Sequence, residues 1–77
     1  MDINIFVTNF AELFEETDVT LFKTTTKFRD IEEWSSFGAL SVIGMVDEKY
    51  KVKLTGDDIR KSATVEDIFK IMILKIK

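Results

Sequence analysis

Apolar residues recur at helical spacing in three stretches of the chain, and between two of them lies a long segment that follows no regular period. In residues 2–15, Ile3, Phe6, Val7, Phe10, Leu13 and Phe14 repeat at intervals of three and four, which predicts an amphipathic helix capped by Asp2. Residues 36–50 predict a second helix. Leu40, Ile43 and Val46, flanked by Ala39, Val42 and Tyr50, give it an apolar face wide enough for a central position, and Ser36 can serve as its N-cap. Val65, Ile68, Phe69, Met72, Ile73 and Ile76 predict a last helix. Thr64 opens it, with Asp67 three residues on in a capping-box-like arrangement.

The intervening pieces read differently. Residues 16–35 carry Thr17, Thr20 and the run Thr24-Thr25-Thr26, which disfavour helix through β-branching and local hydrogen bonding. Leu21, Phe22, Phe28, Ile31 and Trp34 are nonetheless too apolar for a free linker. The expectation is a long loop pinned to the core by spaced hydrophobic anchors, a kind of loop that is often functional. Lys51-Val52-Lys53-Leu54 reads as a short extended connector, and Thr55 to Arg60 as a cap followed by one or two helical turns. No internal repeat, low-complexity segment or sustained strand alternation is present. The sum is an all-α, four-helix bundle: three main helices, one short helix and a long first loop, forming a single domain over 1–77.

Gly44 falls inside the second helix, where glycine costs about 1 kcal/mol relative to alanine. Close helix packing and room for a ligand beside the helix are both open readings of it.

Composition changes the picture by exclusion. The 77 residues include no His and no Cys. Disulfides, His bases, Cys nucleophiles, Ser/His/Asp triads and the usual metal sets therefore cannot be built. The three glycines form no phosphate-cradling loop. Adjacent carboxylates (Glu15-Glu16, Glu32-Glu33, Asp57-Asp58) on so small a surface read as solvated, and a carboxylate hydrolase is disfavoured. The chain is not expected to be an enzyme. The N-terminal stretch lacks a basic n-region and no apolar run reaches membrane-spanning length, so a soluble, cytoplasmic protein is expected.

Charge is uneven. Residues 1–48 hold ten acidic side chains against three basic ones, a net −7, and residues 49–77 hold eight basic against four acidic, a net +4. The acidic half argues against general nucleic-acid binding and favours basic partners.

One constellation carries a function. Phe28-Arg29-Asp30-Ile31-Glu32-Glu33-Trp34-Ser35-Ser36-Phe37 resembles the segment that leads into the modified serine of acyl and peptidyl carrier proteins. That family shows a Phe, an aliphatic residue, often a Trp, then Asp-Ser-Leu opening the second helix. The resemblance continues through Val42–Val52, Leu54–Ile59 and Ala63–Ile68, and so spans essentially the whole chain in order and spacing. It departs at two places: Ser35 stands where the family has Asp, and Phe37 where it has Leu. Gly38 and Ser41 also occupy positions where the family often places acidic residues.

The resemblance implies a carrier protein. Ser36, by register, would be the attachment site of a 4'-phosphopantetheine arm taken from coenzyme A, and would carry acyl or aminoacyl groups as thioesters. The implied partners are a phosphopantetheinyl transferase, an acyl-loading ligase or acyltransferase, and a ketosynthase or other downstream synthase, with the carrier itself a monomer. Fatty acid, polyketide, peptide and D-alanine pathways all use bundles of this size. The chain has no thiol of its own, so the arm would supply one. Trp34 and Phe37 read as anchors near the site, with Phe37 also a candidate partner contact. Asp47 and Glu48 are candidate contacts for basic partner patches or simply a solvated face. The alternative is a degenerate, unmodified carrier-like module, which Ser35 in place of Asp favours.

Overall fold

The structure is a computed structural model and describes residues 2–76. Four α-helices and two short 3-10 turns make up its regular structure, and no strand is present among the described residues. The helices are α1 (Ile3–Ala11), α2 (Ser36–Tyr50), α3 (Gly56–Lys61) and α4 (Val65–Ile76), and the 3-10 turns are Val19–Leu21 and Phe28–Asp30. The all-α, four-helix expectation therefore holds. No helix among the described residues is long and apolar enough to cross a membrane.

α1 starts where the sequence predicts. The Asp2 side chain accepts from the Asn4 N–H at 2.8 Å and caps the first turn. The helix ends earlier than residue 15. Glu12, Glu15 and Glu16 crowd its C-terminal end, where the helix dipole disfavours negative charge and no basic residue compensates. The chain continues past Ala11 in tighter turns, with Leu13 N–H bonded to the Phe10 carbonyl and Phe14 N–H to that of Ala11. These turns carry Phe14 into the interior, where it is buried with Phe6 and Phe10.

The segment from Glu12 to Ser35 is pinned as expected, though not by every residue the pattern singled out. Phe22 and Phe28 are buried, and Ile31 and Trp34 pack against the core. Leu21 is 62% exposed and is no anchor. It sits at the end of a 3-10 turn that Asp18 caps by accepting from the Thr20 N–H, and the turn brings Phe22 inward in its place.

This segment also holds the junction between α3 and α4. The first N–H groups of any helix lack intrahelical partners. Here the Val65 N–H donates to the Thr26 carbonyl (3.1 Å) and the Glu66 N–H to the Thr24 carbonyl (2.9 Å). The Asp67 N–H donates to Thr64 Oγ1, and the Asp67 carboxylate accepts in return from the Ala63 and Thr64 N–H groups, which confirms the predicted capping box. On the other side of the junction, Arg29 donates to the carbonyls of Ser62 (2.5 Å), Ile59 (2.7 Å) and Arg60 (3.1 Å) at the end of α3, where the Ile59 carbonyl also accepts from the Ser62 N–H. The threonine run is thus a row of acceptors for α4, and Arg29 is the fork that closes α3.

α3 has a full capping box of its own between Thr55 and Asp58. Lys75 from α4 reaches the Asp58 carboxylate at 3.1 Å and ties the two helices together. The short connector before α3 alternates, with Val52 and Leu54 buried and Lys51 and Lys53 exposed, and its first residue is not extended as expected. Lys51 stops α2 in a left-handed conformation at φ 58°, and its N–H bonds to the Asp47 carbonyl.

Two stripes are shifted from the sequence reading. On α2 the buried residues are Gly38, Val42, Met45 and Val46. Leu40 is 65% exposed, because at 3.6 residues per turn it lies about 200° from both Gly38 and Val42. On α4, Val65, Ile68 and Met72 are buried, Phe69 and Ile73 pack at the edge, and Ile76 in the last turn is 47% exposed.

Two consequences can be measured. Removing the Arg29 fork leaves three carbonyls without their charged donor, so Arg29→Ala lowers unfolding stability by about 1–3 kcal/mol in urea melts. Arg29→Lys restores little of it, since an ammonium cannot reproduce the planar fork. The cap carboxylates set the acid limit. Hydrogen bonds from the Ala63 and Thr64 backbone hold the Asp67 pKa below its ordinary value. For Asp58, desolvation raises the pKa, but hydrogen bonds from Thr55 and from Lys75 outweigh it and the pKa is lowered. A depressed folded-state pKa contributes stability that is present above the unfolded value of about 3.9 and is lost as pH falls through the folded value. Stability therefore declines below about pH 5, and Asp67→Asn removes part of that decline as well as part of the neutral-pH stability.

Candidate functional site

The start of α2 is fixed by the residue just before it. Ser35 has an extended backbone (φ −159°, ψ −179°), and its hydroxyl accepts from the Gly38 N–H at 3.4 Å. Ser35 is therefore the N-cap, and the expectation that Ser36 fills that role is corrected. An N-cap stands outside the helix with its oxygen turned back on the third helical N–H. Ser36 already lies in the helix as its first residue and is exposed. The two serines are both exposed and differ in that only Ser35 caps the helix.

What holds the turn in place is aromatic. The Trp34 ring lies parallel to Phe10 with centroids 6.4 Å apart, and it meets Phe14 at 5.9 Å and Phe28 at 4.7 Å. Phe22 joins from the loop, 5.8 Å from Phe14 and 6.1 Å from Phe10. Tilted and offset ring pairs at these distances add to the energy of plain burial. The chain around Trp34 is tied down as well: its N–H bonds to the Ile31 carbonyl (2.9 Å), and Thr17 Oγ1 donates to the Glu33 carboxylate (2.6 Å). Trp34 is the anchor that the sequence suggests. Phe37 is not: at 82% exposed it projects outward beside Ser36, and the anchor reading is corrected. Its exposure is compatible with the partner-contact reading.

Gly38 was missed as a structural position. A Cβ there would lie 3.1 Å from Phe14 Cε1 and 3.3 Å from Trp34 Cε3. The first turn of α2 rests directly on the aromatic cluster because this residue has no side chain. Its place three residues after a capping serine and four after a tryptophan was the available signal. Gly44 is the converse, since nothing approaches within 4 Å of where its Cβ would be. Close helix packing is therefore not its reason.

The exposed side of α2 carries Ser36, Phe37, Leu40, Ser41, Gly44, Asp47 and Glu48. The structure brings Ser36 and Phe37 together at one end of this face. Asp47 and Glu48 stand at the other end, about 17 Å along the axis at 1.5 Å per residue. Asp47 approaches Lys53 at 3.9 Å in a solvent-exposed pair of little energetic weight.

A concave feature lies within the long loop. It is an open cleft of about 920 Å³ with Leu21 and Ile31 on its walls and Glu16, Asp18, Asp30 and Glu32 among the residues around it. The Asp18 pKa is lowered there by the Thr20 N–H and hydroxyl.

The two helix glycines make opposite predictions for one substitution. Gly38→Ala drives a methyl group into immobile rings and destabilises by about 1–2 kcal/mol net of the alanine helix preference, with a change in Trp34 emission. Gly44→Ala stabilises by about 1 kcal/mol and leaves Trp34 emission unchanged, because only propensity acts. Urea melts followed by fluorescence distinguish the two.

No family model, no curated protein and no solved structure matches this chain.

Proposed function

We propose that the protein is a carrier whose Ser36 receives a 4'-phosphopantetheine arm from coenzyme A, and that it presents acyl or aminoacyl groups to partner enzymes without catalysing a reaction itself. The observation that carries this reading is the placement of Ser36: exposed, and relieved of the capping role by Ser35. The whole-chain resemblance to acyl and peptidyl carrier proteins supplies the identity of the group.

The residues present fit such an arm. A phosphodiester on the Ser36 oxygen would lie at the positive end of the α2 dipole, beside N–H groups of a first turn that has no acidic residue. The thiol at the arm's end is the chemistry the chain lacks. In the attachment step, the Ser36 oxygen forms the new bond to phosphorus, the nucleotide portion of coenzyme A leaves, and the hydroxyl proton passes to a base on the transferase. The chain's own contribution is position: the Trp34 cluster and the Ser35 cap fix the turn at which the exposed Ser36 stands. Phe37 would contact the modifying enzyme or a synthase directly. Asp47 and Glu48, on the same face, would meet basic groups on those partners, and the carrier would work as a monomer in the cytoplasm.

A second reading, an unmodified interaction module of the same shape, is favoured by one observation. Ser35 replaces the acidic residue that carrier proteins present to the transferase.

Intact mass decides between them. Incubation with coenzyme A and a broad-specificity phosphopantetheinyl transferase gives a gain of one phosphopantetheine group. Ser36→Ala abolishes the gain, Ser35→Ala keeps it, and Ser35→Asp raises its rate. No gain with several transferases overturns the carrier reading in favour of the module, and a gain that survives Ser36→Ala moves the site.

A further inference from the structure

The packing behind Ser36 bears on the class of cargo, an inference that rests on the carrier reading. An acyl chain tethered at the start of α2 can lie inside the bundle or outside it. One inner route lies between the first turn of α2 and the aromatic cluster, and it is closed: Phe14 and Trp34 are already in contact range of the bare Gly38 backbone. The rest of the interior is filled as well: Val42, Met45 and Val46 on α2, Leu54 and Ile59 before and in α3, and Val65, Ile68 and Met72 on α4 are all buried. Valines have little rotamer freedom with which to yield space, and the Phe10, Phe14, Phe22, Phe28 and Trp34 rings brace one another across α1 and the loop.

The outer route is open. Beyond Ser36, one turn apart, come Leu40 and Gly44 on the exposed face. Phe37 stands beside the start of this track, and there is free space over Gly44. The track ends at Asp47 and Glu48. It offers two exposed apolar side chains and then small and charged residues, which is too little apolar surface to shield a long aliphatic chain from water.

We infer that the cargo joined through Ser36 rides on the outer face of α2 and belongs to the class of short acyl groups, not long aliphatic chains.

The test does not depend on any transferase. The chain has no cysteine, so Ser36→Cys creates a single thiol at an exposed position. That thiol is alkylated with two iodoacetamides that share one polar spacer of pantetheine length and end in an acetyl or a decanoyl group. Amide shift maps of the two adducts are then compared. The expected differences are confined to residues 36–48 on the outer face, with melting temperatures that agree within about 1 °C. Differences at Val42, Val46, Val65 or Met72 together with a change in Trp34 emission, whichever way the melting temperature moves, would show the chain entering the bundle and overturn the inference. Val46→Ala in the Ser36→Cys background serves as the positive control, because a cavity opened there gives the decanoyl chain an interior to enter. The carrier reading fails separately, by absence of a mass gain from coenzyme A.

Discussion

The position of the candidate site depends on one packing interaction: the Trp34 indole lying over Phe10 and Phe14, with the Gly38 backbone pressed against the same rings. Trp34 comes from the loop, Phe10 and Phe14 from the first helix and its trailing turn, and Gly38 from the second helix. A single cluster therefore fixes the relation of three chain segments that are distant in sequence. Ser35 and Ser36 lie between Trp34 and Gly38 and have no freedom to move independently of it. A loop of this length would otherwise be the least ordered part of so small a domain. Here its ring-bearing residues supply much of the core.

The second constraint is polar and acts at the opposite side of the same loop. α3 is short, and the turn between it and α4 leaves carbonyls at one helix end and N–H groups at the next. Buried or half-buried backbone groups of this kind need partners. The loop provides both kinds, with the Arg29 guanidinium for the carbonyls and the Thr24 and Thr26 carbonyls for the N–H groups. Phe28 lies under the Arg29 guanidinium at 4.9 Å and is at once a member of the aromatic cluster. Two adjacent residues thus couple the polar junction to the apolar centre, and through Trp34 to the start of α2.

The helices were legible because their apolar residues follow a 3.6-residue period and their caps use recognisable side chains, as at Asp2, Thr55 and Thr64. The errors have local causes. Periodicity gives a stripe but not its centre, so Leu40 was placed inward when the buried face of α2 runs through Gly38, Val42, Met45 and Val46. A glycine contributes nothing to an apolar stripe, so the closest contact beneath the site escaped notice. Leu21 and Phe22 are neighbours of similar hydrophobicity, and only the 3-10 turn decides which of them points inward. The Arg29 contacts span some 30 residues to main-chain carbonyls, and a pattern of side chains cannot reveal a main-chain partner. At the site, the order of Ser35 and Ser36 was ambiguous because either hydroxyl could cap. The backbone resolves it: Ser35 caps and Ser36 is the first helical residue, with both exposed.

The far end of α2 carries charges that do little for the bundle. Asp47 and Glu48 lie in the last turn of the helix, where the dipole is negative and acidic side chains are disfavoured by a few tenths of a kcal/mol to about 1 kcal/mol each. Local interactions offset this only weakly, since the Asp47–Lys53 pair is long and solvated. Lys49, in the same turn, shows that a residue suited to the dipole is available there. Neither carboxylate caps a helix or joins the core, in contrast to Asp2, Asp18, Asp58 and Asp67, each of which accepts backbone hydrogen bonds. Two acidic groups thus stand at a mildly unfavourable place on the helix face that also exposes Ser36, Phe37 and Leu40, and the bundle draws no stability from them.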